Sequence, residues 1–261
     1  TASESYVAWN WYMETAGSGT SNTDGTINTT ATLVDTNIGL SISQFTGTGS
    51  NATIGHGLGV VPQMYWVKGI DAGDHWYVYH ANNTAAPQTD ALLLNGTGAT
   101  FDDATLWNDT APTSSVISLG SNTGINQSSK KYLAMAFAPS QFTSIGSYKS
   151  NANANGPFVP TINSLGIPIQ PAWVMVKDTS GASQWWIWDN QRSPFNLSTK
   201  VLYPNLSNAE STSVNISIDM VEGGFKLRTS SNPNGSSGNT YIYLAFGTPI
   251  IDVDGRIITG R

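Results

Sequence analysis

The 261-residue sequence contains no cysteine. That absence removes disulfides, thiolate nucleophiles and Cys-ligated zinc together, and leaves stability to packing, backbone hydrogen bonds or association. Charge is scarce as well: Asp, Glu, Lys and Arg make up 11% of the chain, against roughly 25% in an average soluble protein. Eleven basic residues stand against 17 acidic ones, a net charge of −6. No basic stripe exists that would neutralise a phosphate backbone, so nucleic acid is not an expected partner. Long apolar runs are missing too. Segments such as Tyr241–Phe246 stop far short of the roughly 20 residues that cross a bilayer, and membrane insertion is not expected.

What is present is Gly, at 26 residues, with Ser, Thr and Asn at most polar positions, and short aromatic-rich blocks. The blocks repeat. Pro62-Gln63-Met64-Tyr65-Trp66-Val67-Lys68 matches Pro171-Ala172-Trp173-Val174-Met175-Val176-Lys177 at a shift of 109. The same shift carries His75–Tyr79 onto Gln184–Trp188, Leu92–Leu94 onto Val201–Tyr203, and Tyr132–Phe137 onto Tyr241–Phe246. One constant offset over four separated blocks marks an internal duplication. Tyr6–Trp11 is similar to the closing block Tyr132–Phe137, which predicts that residues 1–15 are the closing strand of an upstream repeat and that the chain is a piece of something longer.

Within each repeat, short β-branched and aromatic runs alternate with Gly, Asn, Asp, Ser and Pro clusters, and no sustained stripe at helical spacing occurs. The expected class is all-β, as tandem β-sandwich, jelly-roll-like modules related by the internal repeat. Expected boundaries are a linker or loop over 16–36, repeat one over 37–138, a hinge near Pro139, repeat two over 143–247 and a C-terminal tail over 248–261.

Residues that carry chemistry are sparse. His56, His75 and His80 fall on Leu165, Gln184 and Asp189 at the 109 shift, so they read as surface or strand-edge histidines, not as a base or metal site. Asp71, Asp74, Asp90, Asp102, Asp103, Asp109, Glu210, Asp219 and Glu222 sit mostly in turn-like contexts where Asp closes a loop. Asp252-Val253-Asp254-Gly255 resembles the start of a calcium loop without its closing glutamate, and reads as a β-turn. Gly47-Thr48-Gly49 and Gly55-His56-Gly57-Leu58-Gly59 lack the Lys-Ser/Thr ending of a phosphate loop. No catalytic residue, metal site or cofactor is expected. The aromatics remain: Trp186 and Trp188 share one strand face, as Tyr77 and Tyr79 do in repeat one, and one face of each strand is core. The other face suits a second core layer, a subunit contact or a platform for sugar rings, and Tyr77, Tyr79, Trp186 and Trp188 are the candidate contact residues.

Trp107-Asn108-Asp109-Thr110-Ala111-Pro112-Thr113-Ser114-Ser115-Val116-Ile117-Ser118-Leu119-Gly120, then Asn126-Gln127-Ser128 and Tyr132–Phe137, resembles a repeat in tail-fibre and virion structural proteins of marine bacteriophages. Repeat two carries the similar blocks Pro171–Lys177, Leu202-Tyr203-Pro204-Asn205, Gly224-Phe225-Lys226-Leu227-Arg228-Thr229 and Tyr241–Phe246. The resemblance implies a fibre or related virion component, extracellular, assembled as a homotrimer with other virion tail proteins and contacting host-surface polysaccharide or receptor. It implies no catalytic residues. A secreted bacterial lectin or adhesin is the alternative, and a fibre-borne polysaccharide depolymerase the enzymatic rival.

Overall fold

The computed structural model describes residues 5–13, 19–71 and 73–251. Among these the chain is all-β, built from antiparallel sheets. Nine strands precede Pro139: β1 (Ala31–Asp35), β2 (Leu40–Thr46), β3 (Ala52–Gly55), β4 (Met64–Gly69), β5 (Trp76–His80), β6 (Asp90–Leu93), β7 (Phe101–Asp102), β8 (Val116–Leu119) and β9 (Lys131–Phe137). Nine follow: β10 (Thr143–Lys149), β11 (Phe158–Pro160), β12 (Ile169–Asp178), β13 (Trp185–Asp189), β14 (Lys200–Val201), β15 (Ser211–Thr212), β16 (Ile218–Val221), β17 (Gly224–Leu227) and β18 (Thr240–Pro249).

The first half forms a seven-stranded sheet, β1-β2-β9-β4-β5-β6-β7, faced by the pair β3-β8. The second half forms a four-stranded sheet, β10-β18-β12-β13, faced by β11-β17-β16 and the short pair β14-β15. Register follows the sequence offset. Met64 pairs with both Phe137 and His80; 109 residues on, Trp173 pairs with both Phe246 and Asp189.

Because successive side chains on a strand point to opposite faces, each large sheet feeds two cores. Tyr65, Val67, Tyr79, Ala134 and Ala136 turn toward Ile54, Ile117 and Leu119 of β3 and β8 and form the first core. Val174, Val176, Trp186, Trp188, Tyr241 and Tyr243 meet Val159, Met220 and Phe225 in the second. The intervening residues form a third core between the two halves, where Met64, Val78, Leu92 and Phe137 meet Trp173, Met175, Trp185, Ile187, Ile242 and Leu244. The order is sheet, core, sheet, core, sheet, core, sheet.

Two four-residue helices, α1 (Ala104–Trp107) and α2 (Thr123–Asn126), close the first core with Leu106, Trp107 and Ile125. Their capping residues are those the sequence favours at helix starts. The Asp103 side chain accepts from the Thr105 N–H at 2.9 Å, and that of Asn122 from the Gly124 N–H at 2.9 Å.

Several expected boundaries move. Residues 19–36 are not a linker: β1 is the edge strand of the seven-stranded sheet, Ile27 joins the first core and Thr20 bridges Thr32. The segment reads as a linker because its polar side chains satisfy one another while buried, through Thr29 Oγ1 to Thr32 Oγ1 at 2.8 Å and Thr32 Oγ1 to Ser43 Oγ at 3.0 Å. Pro139 is no free hinge. Ser140, Thr143 and Ser144 around it are buried, and the Thr143 hydroxyl donates to the Ile38 carbonyl at 2.6 Å. Residues 5–13 form no strand; they lie across the end of β12 instead of pairing along a sheet edge. The tail is shorter than expected, since Thr248 and Pro249 still pair with Gln170 and Ile169. The turn expected at Asp252–Gly255 lies outside the described residues.

Candidate functional site

Three of the four aromatic candidates, Tyr79, Trp186 and Trp188, are placed inside the halves, and Tyr77 is half-buried. Trp188 is fully buried with its indole N–H donated to the Ile216 carbonyl at 3.1 Å, and Trp186 keeps 3% of its surface exposed. Tyr79 stacks on Tyr65 with ring centroids 4.5 Å apart. Tyr77 is half-buried and lies so close to α2 that a Cβ at Gly124 would stand 2.5 Å from its ring, which is why glycine serves there. Burial therefore removes Tyr79, Trp186 and Trp188 as a sugar platform or subunit contact, while Tyr77 keeps part of its surface open. The opposite faces of β5 and β13, with Trp76, Val78, Trp185 and Ile187, are the second core layer, so both faces of each strand are covered.

Of the three histidines, His75 is exposed as expected and the other two are not. His56 and His80 are buried, at 1% and 0% exposure. In His80, Nδ1 accepts the backbone N–H of Asn82 at 3.1 Å, so the proton sits on Nε2, which donates across the third core to the Tyr243 carbonyl at 3.2 Å. Burial pushes its pKa down to about 4, against a smaller opposing effect of that carbonyl. Asp189, its equivalent, makes the same local bond: its Oδ1 accepts the N–H of Gln191, two residues on. Lys177 is a fully buried cation whose Nζ bonds the carbonyl of Asp178 at 2.8 Å, the hydroxyl of Ser183 at 3.1 Å and the carbonyl of Thr97 at 3.5 Å. Desolvation lowers its pKa to about 8, with Asp178 opposing.

Among the acidic residues, Asp219 pairs with Arg228 at 3.2 Å, Asp103 caps α1 and Glu210 pairs with Arg192 at 3.0 Å. Among the described residues no cluster of His, Asp and Glu is arranged to hold a metal ion.

The feature with the most distinctive chemistry lies where residues 7–11 cross the second half. A groove of about 390 Å³ opens there, walled by Trp9 and Trp11 on one side and by Trp173, Phe246 and the turn Asp189–Arg192 on the other. Trp173 is held by β12 and Phe246 by β18, neighbours in register. Trp9 and Trp11 meet Trp173 edge-on at 6.2 and 6.1 Å, and Trp11 meets Phe246 at 5.5 Å. Phe137 meets the same Phe246 at 6.2 Å, so the last aromatic of each closing-type block converges on one ring.

Asp189 anchors the crossing segment. Its Oδ2 accepts from the Trp9 indole at 3.0 Å and from Arg192 Nε at 2.6 Å, and its Oδ1 accepts from the backbone N–H groups of Gln191 and Arg192. Burial alone would raise this carboxyl's pKa, but the bonds from Arg192 and Trp9 together hold it below its ordinary value. The Arg192 guanidinium lies 5.8 Å from the Trp9 ring centre and donates to the Ile187 carbonyl at 3.2 Å. The Trp173 indole nitrogen is buried and has no hydrogen-bond partner.

Sequence reasoning passed over this groove because its residues come from four separate segments. A signal was present: the 109 shift puts Asn83 opposite Arg192, Met64 opposite Trp173 and His80 opposite Asp189, so three of its walls are private to the second half. No curated protein and no solved structure matches the chain. The model of the family described as Domain of unknown function (DUF7483) matches residues 1–249, and the chain belongs to that family.

Proposed function

We propose that the chain is a pair of tandem β-sandwich modules, related by the 109-residue repeat, in a bacteriophage tail fibre or related virion structural protein that takes part in adsorption to the host surface. The observation that carries the reading is the third core. The same strand faces of both halves, Met64 and Trp173, Val78 and Ile187, Met135 and Leu244, bury one another. The two modules thereby form one stiff body without a mobile joint, as an appendage under mechanical load requires.

Surface chemistry agrees with an extracellular virion location. With 11% charged residues and hydroxyl-rich loops, little of the surface chemistry depends on long-range electrostatics, which salt screens strongly. Association with identical subunits, as a homotrimer, has a candidate surface at the seam between the modules. Val60, Val61 and Ile162, at 51%, 48% and 39% exposure, line one hollow there beside Pro139. Repetition of weak contacts over three subunits and several fibres would give the avidity that adsorption needs.

Light scattering on the purified chain, with an unboiled SDS gel, tests the assembly, and competition of the chain against phage adsorption tests the role. A species of three times 27.7 kDa that blocks adsorption is the expected result. A monomer with no effect on adsorption rejects the reading, and a monomer that binds saccharide favours the secreted lectin or adhesin instead.

A further inference from the structure

We infer that the groove between residues 7–11 and the ends of β12 and β13 binds one ring of a neutral saccharide, packed on Trp11 and rimmed by the side-chain amides of Asn190 and Gln191. The inference rests on the adsorption reading and gives it a ligand class and a place.

Two observations select the ligand. The first is charge. Both oxygens of Asp189 are already occupied, and the Arg192 guanidinium is neutralised by Asp189 at 2.6 Å and Glu210 at 3.0 Å. A carboxylated or sulfated sugar finds no uncommitted cation in this wall, whereas a neutral ring needs none. The second is the mixture of surfaces. Trp11 keeps 36% of its surface exposed, and the amides of Asn190 and Gln191 stand in the same lining. A pyranose has the matching pattern, an apolar C–H face for an indole and a rim of hydroxyls for amides. The groove, at about 390 Å³, falls within the range of small-molecule sites, roughly 300–1,000 Å³.

The first half cannot repeat the site. Met64 and His80 stand where Trp173 and Asp189 would be, and both are buried in the third core or at its edge. The described residues thus form one such site, and binding strength grows with the number of copies in the assembly.

Saturation-transfer NMR on the full chain tests this with glucose, galactose and N-acetylglucosamine, and with glucuronate as the charged control. At least one neutral sugar is expected to receive saturation, more strongly than glucuronate. Trp11→Ala should abolish the effect. Gln191→Ala removes one rim amide and should weaken binding about fivefold with unchanged far-UV circular dichroism. Absence of transfer to every neutral sugar overturns the inference, as does a neutral-sugar signal that survives both substitutions or a preference for glucuronate. A trimer that blocks adsorption but binds no sugar sinks this inference alone; sugar binding by a chain that leaves adsorption untouched sinks the adsorption reading alone.

Discussion

Burial lowers the pKa of both His80 and Lys177, and each ties stability to pH in a direction that can be worked out. His80 is neutral in the folded chain down to about pH 4, whereas the unfolded chain takes up its proton near 6.5. Between those values the unfolded state binds more protons, so stability present above pH 6.5 is lost as pH falls toward 4, by about 1.4 kcal/mol per unit and about 3 kcal/mol in all. His80→Gln retains a donor for the Tyr243 carbonyl and an acceptor for the Asn82 N–H without titrating. Urea denaturation from pH 7 to 4 should show a flatter decline in the variant; identical slopes would mean that His80 is not the acid-sensitive group. Lys177 acts at the other end. Its folded pKa of about 8 lies below the ordinary 10.5, so the unfolded chain again binds more protons and stability rises from pH 8 toward 10. Above that the buried phenols reverse the trend, because desolvation raises Tyr65 and Tyr148 well above 10 and Tyr79 to about 12. Lys177→Met should remove the rise between pH 8 and 10 and leave the fall above it, read from the same denaturation series.

At the scale of elements, the strands were legible and their surroundings were not. Met64–Lys68, Trp76–Tyr79 and Tyr132–Phe137 show their extended form through β-branched and aromatic runs bounded by turn residues, and the structure places β4, β5 and β9 there. Exposure of a face is a different matter. Nothing in Trp185-Trp186-Ile187-Trp188 distinguishes a strand with one core from a strand with two, since aromatic residues suit either, and only the packing of the other half decides it. Residues 19–36 misled for the converse reason: threonine hydroxyls that look solvated bond to one another inside. The groove illustrates a third limit, since Trp9, Trp173, Asp189 and Arg192 are brought together by topology over 180 residues of separation. The docking of residues 5–13 there makes a direct prediction. Arg192→Ala removes the guanidinium from both Asp189 and the Trp9 ring and leaves a largely buried carboxylate with fewer partners. The expected cost is about 1–3 kcal/mol, with Trp9 emission shifted to the red as its N–H bond to Asp189 loosens. Unchanged stability and emission would show that the segment is not held by this cluster.

For the whole molecule, the third core decides whether the chain behaves as two modules or one. Linked sandwiches with separate cores unfold independently, each with its own midpoint. Here the halves share Met64, Val78, Phe137, Trp173, Ile187 and Leu244 in one buried layer. They are also stitched by backbone and side-chain bonds, Thr100 N–H to the Thr179 carbonyl at 3.0 Å, Ser183 N–H to the Thr97 carbonyl at 2.8 Å and the Trp185 indole to the Leu93 carbonyl at 2.9 Å. Opening either half exposes an apolar face of the other, so each loses stability when its neighbour unfolds. A single calorimetric transition is expected, with tryptophan fluorescence and circular dichroism coincident. Leu244→Ala, a truncation inside the shared layer, should cost about 2–5 kcal/mol and move that single transition as a whole. If instead the variant splits the melt, or the second half melts alone while the first keeps its original midpoint, the modules are energetically separate and the stiffness on which the appendage reading depends is absent.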